Sequence, residues 1–189
     1  MVSFEVLSGL PPYGPMAKPF PASGYGAHSQ GFVVQFEGEK FGTWIGNFQP
    51  GLTSFSKAYE HPDGKHVVVV AAGAIYIVDP DTQAAEESGG MVSSVIQISE
   101  KNALLFDDNI YLSLIGAHVT WQTKRLSWDG IRNLSISGDF VLGQGWRYDD
   151  TWHDFAVSLA NGSHTGGAYD ESEFVPIKRP WWRFWRDHA

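Results

Sequence analysis

Glu60-His61-Pro62-Asp63-Gly64-Lys65-His66, then Val67-Val68-Val69-Val70-Ala71-Ala72, then Ala74-Ile75-Tyr76-Ile77-Val78-Asp79-Pro80-Asp81-Thr82, is the stretch from which the fold is read. Pro62 presets a turn dihedral and Gly64 takes a positive φ at little steric cost, so the segment before Val67 is a tight turn. The apolar run that follows is short and β-branched, which suits a pleated surface better than a helix. Gly73 separates it from a second run of the same kind. Two antiparallel strands are predicted, His66 to Ala72 and Ala74 to Val78, with Val68, Val70, Ile75 and Ile77 turned into a core.

The same grammar extends in both directions. Short runs rich in Val, Ile, Phe and Trp, bounded by Gly, Asp, Asn and Pro, predict further strands. They run from Gly31 to Phe36, Phe41 to Phe48, Val92 to Ile98, Ala103 to Phe106, Asn109 to Leu114, Val119 to Leu126, Leu134 to Ser137, Phe140 to Trp146 and Asp154 to Leu159. Glu37-Gly38, Asp107-Asp108-Asn109, Gly138-Asp139 and Asn161-Gly162 tolerate the positive φ that hairpins require. Leu105, Leu112, Val141 and Phe155 join the expected core. Thr82 to Ser88 and the C-terminal tail are the two helical candidates. Pro11, Pro12, Pro15, Pro19 and Pro21 keep residues 1–30 out of any regular helix and make them an extended arm.

The apolar strands near Val69, Leu105 and Val141 lie 36 residues apart, so the unit repeats. Residues 60–84, with a Pro-Asp-Gly-Lys turn before an apolar strand and a second strand ending in Asp79-Pro80-Asp81-Thr82, resemble one blade of a β-propeller. Weaker copies start at Ser99-Glu100-Lys101-Asn102 and Ser137-Gly138-Asp139. The C-terminal half, with Trp128-Asp129-Gly130-Ile131, Gly143-Gln144-Gly145-Trp146, Trp152-His153-Asp154-Phe155 and Asn161 to Tyr169, is similar to a group of small bacterial proteins of unassigned activity, and this likeness implies no ligand or catalytic residue. The expected fold is all-β, an antiparallel meander of three or four hairpin-like repeats. It is either propeller-like or a two-sheet sandwich, and length alone favours neither. One domain spans residues 1–189: an arm (1–30), a β domain (31–169) and a docking tail (170–189).

At 189 residues, one core buries roughly 70% of the surface an unfolded chain exposes, so no staple is required. The chain has no Cys, which excludes disulfides, thiolate metal sites and a thiol nucleophile. Thirteen basic and 21 acidic residues give −8, which argues against nucleic acid as a partner. Met1 to Leu10 carries no Lys or Arg before an apolar run, and Val67 to Ala72 is far too short to span a bilayer, so a soluble, cytoplasmic protein is expected.

Three groups could carry chemistry. Asp149, Asp150, His153 and Asp154 form the densest polar group and would serve a hydrolase as an acid–base set, although Asp149-Asp150-Thr151 also reads as a hairpin tip. His61, Asp63 and His66 contain metal-ligand types, but whether both rings share a face depends on a register that spacing leaves open. They are read as turn chemistry, and no metal or cofactor is expected. No Gly-x-Ser-x-Gly elbow and no dinucleotide fingerprint occurs.

Aromatics are the third group. Trp121, Trp128, Trp146 and Trp152 lie in or beside strands, and exposed on one sheet they would make a stacking platform for a saccharide or peptide. The same residues also serve as core. In the tail, Trp181, Trp182, Arg183 and Trp185 need covering, by the domain itself, by a second copy in a homodimer, or by a membrane surface, which the anionic body disfavours. Lys178 to Ala189 carries +3 against −11 for the remainder. The expected function is a non-enzymatic binding or protein-interaction domain, with the Asp/His hydrolase and a self-associating subunit as alternatives.

Overall fold

The computed structural model describes residues 2–22, 29–88 and 90–169. Its strands form four four-stranded sheets. The first contains β1 (Ser3–Leu7), β2 (Lys18–Phe20), β3 (Phe32–Gly38) and β4 (Gly42–Phe48) in the order β1-β3-β4-β2. β1 and β3 run antiparallel, as do β3 and β4, whereas β2 lies parallel to β4 with Phe20 beside Phe48. The proline-containing arm thus supplies two strands of a sheet. Pro19 is tolerated because β2 is an edge strand and needs no donor on its outer side.

The other three sheets are meanders of sequence neighbours. The second contains β5 (Lys57–Glu60), β6 (Val67–Ala71), β7 (Ala74–Asp79) and β8 (Ala84–Glu87). The third contains β9 (Ser94–Ile98), β10 (Ala103–Asp107), β11 (Leu112–Gly116) and β12 (Thr120–Gln122), and the fourth β13 (Ile131–Ser137), β14 (Phe140–Trp146), β15 (Trp152–Ser158) and β16 (His164–Gly166). None of the sheets closes on itself. Thr82 to Ser88 is not helical. Gln83 adopts φ +53°, which breaks a helix, and Ala84 to Glu87 pair with Asp79 to Tyr76 as an edge strand, so ladder bonds override helix-forming composition. Among the described residues the helical content is one 3-10 turn, Ser99–Lys101, and no helix is long and apolar enough to cross a membrane.

Three buried clusters stack the sheets in chain order. Val34, Phe36, Trp44 and Phe48 of the first sheet meet Val67, Val69, Tyr76 and Val78 of the second. Val68, Val70 and Ile75 meet Leu104 and Phe106. Leu105, Leu112, Leu114 and Trp121 meet Val141, Phe155 and Val157. The second and third sheets are therefore buried on both faces, which explains why β6 and β10 read as unbroken apolar runs. Of the eight expected core residues, Ile77 alone is half-buried.

Val69, Leu105 and Val141 do lie on equivalent strands, yet they do not face the same way. Val69 points toward the first sheet and Leu105 toward the fourth. Residues that each point toward the preceding sheet are Val67, Leu104 and Val141, which are 37 apart. A strand repeat read one residue short inverts every side chain, because side chains alternate with period two.

Successive sheets are tied at one end. Trp44 Nε1 donates to the Pro80 carbonyl (2.9 Å), Asn102 Nδ2 to the Pro62 carbonyl (2.8 Å), and Lys101 Nζ to Asp139 (2.6 Å).

Candidate functional site

β14, Phe-Val-Leu-Gly-Gln-Gly-Trp, explains the last sheet of the stack. Val141, Gly143 and Gly145 face inward, and the two glycines leave room for neighbours. A Cβ on Gly143 would sit 2.6 Å from the Phe155 ring, and one on Gly145 would sit 2.5 Å from the Leu126 carbonyl oxygen. The large side chains are thereby placed on the outer face, where no further described sheet follows. Phe140 is 48% exposed and Leu142 39%. Across the ladder stand Ser158, Ala156, Asp154 and Trp152, opposite Phe140, Leu142, Gln144 and Trp146 respectively. The opposite end of the stack differs: on the outer face of the first sheet Val33 and Ile45 are buried.

Of the four tryptophans expected on a platform, Trp146 and Trp152 form a cross-strand pair on the outer face of the fourth sheet, and the other two lie elsewhere. Trp121 is core, with its indole N–H donated to the Leu159 carbonyl at 2.9 Å. Trp128 is half-buried, its ring set against Tyr148 (5.2 Å, edge-on) and Tyr169 (5.5 Å), with the Arg125 guanidinium 5.2 Å from its centroid. Arg125 is itself held by the carbonyls of Ser127 and Trp128. Trp152 is capped by the Arg132 guanidinium at 3.9 Å. Trp146 and Trp152 flank Gly130, where an added Cβ would lie 3.4 Å from each. Buried Ser127 locks this loop to β14, accepting from the Gly130 and Trp146 N–H groups and donating to the Gly130 carbonyl at 2.6 Å. The result is an aromatic–arginine end to the fourth sheet, contiguous with its outer face. Arg125, Arg132, Phe140, Leu142, Tyr148 and Tyr169 were not singled out in the sequence, although the inward glycines of β14 already imply that its large side chains point outward.

The acidic group does not converge. Within β15, His153 shares the side of Phe155 and Val157, while Asp154 points to the outer face and accepts from Gln144 Nε2 at 2.7 Å. Asp150 is exposed at φ +61° in the β14–β15 turn. The Asp149 carboxyl accepts from the hydroxyl (2.5 Å) and the N–H of Thr151, and these bonds, the hydroxyl foremost, hold it below the usual carboxylate range. The Thr151 hydroxyl also meets His153 Nε2 at 2.8 Å.

His61, Asp63 and His66 do come together. The β5–β6 hairpin pairs the His61 N–H with the His66 carbonyl at 2.9 Å, which brings both rings to the same side of the turn, 5.7 Å apart. Asp63 Oδ1 accepts the N–H groups of Lys65 (2.8 Å) and His66 (3.0 Å), while Oδ2 lies 2.6 Å from His66 Nδ1. Burial pushes the Asp63 carboxyl up, but the two backbone N–H groups, the His66 ring and the nearby His61 outweigh it and hold it well below the usual range.

Trp181, Trp182, Arg183 and Trp185 lie outside the described residues. No protein-family model matches the chain, and neither a characterised protein nor a solved structure is similar to it.

Proposed function

We propose that this chain is a non-enzymatic protein-interaction domain, an open propeller-like array of four blades whose last blade presents the binding surface. The blade reading is supported by three successive four-stranded meanders, each stacked face to face on the next. The observation that carries the function is the outer face of the fourth sheet, where Phe140 and Leu142 stand exposed beside Ala156.

A polypeptide suits this surface better than a saccharide. Sugar recognition needs several open ring faces, and Trp152 is capped by Arg132, Trp128 is engaged by Tyr148, Tyr169 and Arg125, and Trp121 is core, which leaves half-buried Trp146 alone of the four for stacking. Four strands of up to seven residues cover only about 400 Å² at ordinary strand spacing, roughly half of one side of a standard protein interface. The partner therefore also covers the adjoining hairpin tip, where Tyr148 is 57% exposed. The hydrolase reading is weakened because His153 and Asp154 take opposite faces.

Placing a photo-crosslinking amino acid at position 142, in cells of the source organism, tests this. A discrete protein adduct is expected that is absent when the same probe replaces exposed Leu52, and that is lost on adding Phe140→Lys. The lysine itself should change stability by no more than about 0.5 kcal/mol, the usual range for a surface site. No adduct at 142, or equal adducts at 142 and 52, would remove this surface from the reading.

A further inference from the structure

We propose that the β5–β6 turn binds one divalent transition metal of the zinc class through His61, Asp63 and His66. One donor atom from each residue falls within 4.8 Å of the others. In a tetrahedral zinc site, with bonds of about 2.0–2.1 Å, ligand atoms are separated by about 3.3 Å. The His66 Nδ1 to Asp63 Oδ2 contact of 2.6 Å needs to open by less than an ångström, and His61 Nδ1 lies 3.0 Å from the other oxygen of the same carboxylate, Oδ1.

Hydrogen bonds already gather the three ligand groups, and a cation takes the place of two of these bonds. The Asp63 N–H donates to His61 Nδ1 at 3.1 Å, so that nitrogen presents a lone pair, yet the same nitrogen lies 3.0 Å from a carboxylate oxygen. An imidazole nitrogen offers one lone pair, so a metal bound there takes the place of the Asp63 N–H. Asp63 Oδ1 is committed to two backbone N–H groups, which fix the carboxylate on the turn and leave Oδ2 as the oxygen a metal takes. The metal displaces the hydrogen bond between Oδ2 and the His66 ring, and His66 Nδ1 gives up its proton or changes tautomer to ligate.

The surroundings favour a cation. The side chains are 15%, 27% and 36% exposed for His61, Asp63 and His66, so water can complete the coordination sphere. His66 also borders a cavity of about 460 Å³ whose lining includes Glu37, Glu39, Asp79 and Asp81 against Lys40 and Lys65. Two imidazoles and one carboxylate suit zinc, cobalt or nickel, whereas calcium and magnesium require a shell of oxygens.

The full chain, stripped with chelator and desalted, is titrated with Co²⁺ followed by visible absorption and with Zn²⁺ followed by calorimetry. One saturable site is expected, with cobalt bands of a low-coordinate imidazole site. His66→Gln should weaken Zn²⁺ at least about tenfold, the loss that even an outer partner of a metal ligand causes. Its backbone N–H to Asp63 remains, so the turn should persist, and a thermal melt checks the fold. His61→Gln should weaken binding likewise, and His153→Gln, in the fourth sheet, should leave it unchanged. Absence of saturable binding, or affinity retained in folded His66→Gln, would overturn the site.

Discussion

Gly162→Val is expected to destabilise the protein by about 3–5 kcal/mol, combining a strained positive-φ position with overpacking. Gly162 closes the β15–β16 turn at φ +72°, its N–H bonded to the Ser158 carbonyl at 2.9 Å. A Cβ there would meet three ring atoms of Trp121 at 2.7 to 3.2 Å. Trp121 cannot yield easily, since it is wedged in the cluster between the third and fourth sheets and anchored to the Leu159 carbonyl. Gly138→Val is the control. Gly138 has φ +58° but nothing within 4 Å of an added Cβ, so it loses only the backbone contribution, about 1–2 kcal/mol. Thermal or urea denaturation of both variants measures the difference, and equal losses would mean that the turn does not pack on Trp121.

The second large effect concerns Asp107, at the end of β10. Its side chain is buried, with Oδ1 accepting the Asn109 N–H at 2.8 Å and Oδ2 near the Ser94 hydroxyl. Burial, which the Asn109 N–H only partly offsets, pushes the carboxyl up to about 6. The folded state thus retains a proton that the unfolded chain releases near pH 4. This contribution to stability is fully present below about pH 4 and is lost as pH rises through about 6, at a cost on the order of 2–3 kcal/mol. Asp107→Asn keeps the acceptor for Asn109 and has no charge to bury. It should stabilise the protein by on the order of 2 kcal/mol at pH 7.5 and much less at pH 4, as read from urea midpoints. An equal effect at both values would mean that Asp107 ionises in the fold as freely as in water.

The turn and strand grammar around Pro62-Asp63-Gly64 and Asn161-Gly162 was legible because it is local: a positive φ and a β-branched run act within a few residues. Ser3–Leu7 and Lys18–Phe20 were not legible as sheet members, because an arm interrupted by prolines gains its ladder only from β3 and β4, far along the chain. Ala84 to Glu87 misled for the opposite reason, since helix-forming composition is a weak preference that an available sheet edge overrides.

The candidate sites divide in the same way. The residue types at His61, Asp63 and His66 were visible, but their convergence follows from the hairpin register, and a slip of one residue would have parted the rings. His153 and Asp154 looked like partners because they are adjacent, and adjacency in a strand is what separates them onto opposite faces. Composition and local pattern alone determined an all-β chain with turns at Gly64, Gly138 and Gly162, because backbone sterics and β-propensity act at short range. The tertiary structure alone decided that Trp121 is core and that the face carrying Phe140 and Leu142 receives no further described sheet. Burial depends on which sheet stacks against which, and a long-range contact has no expression in the residues on either side of it.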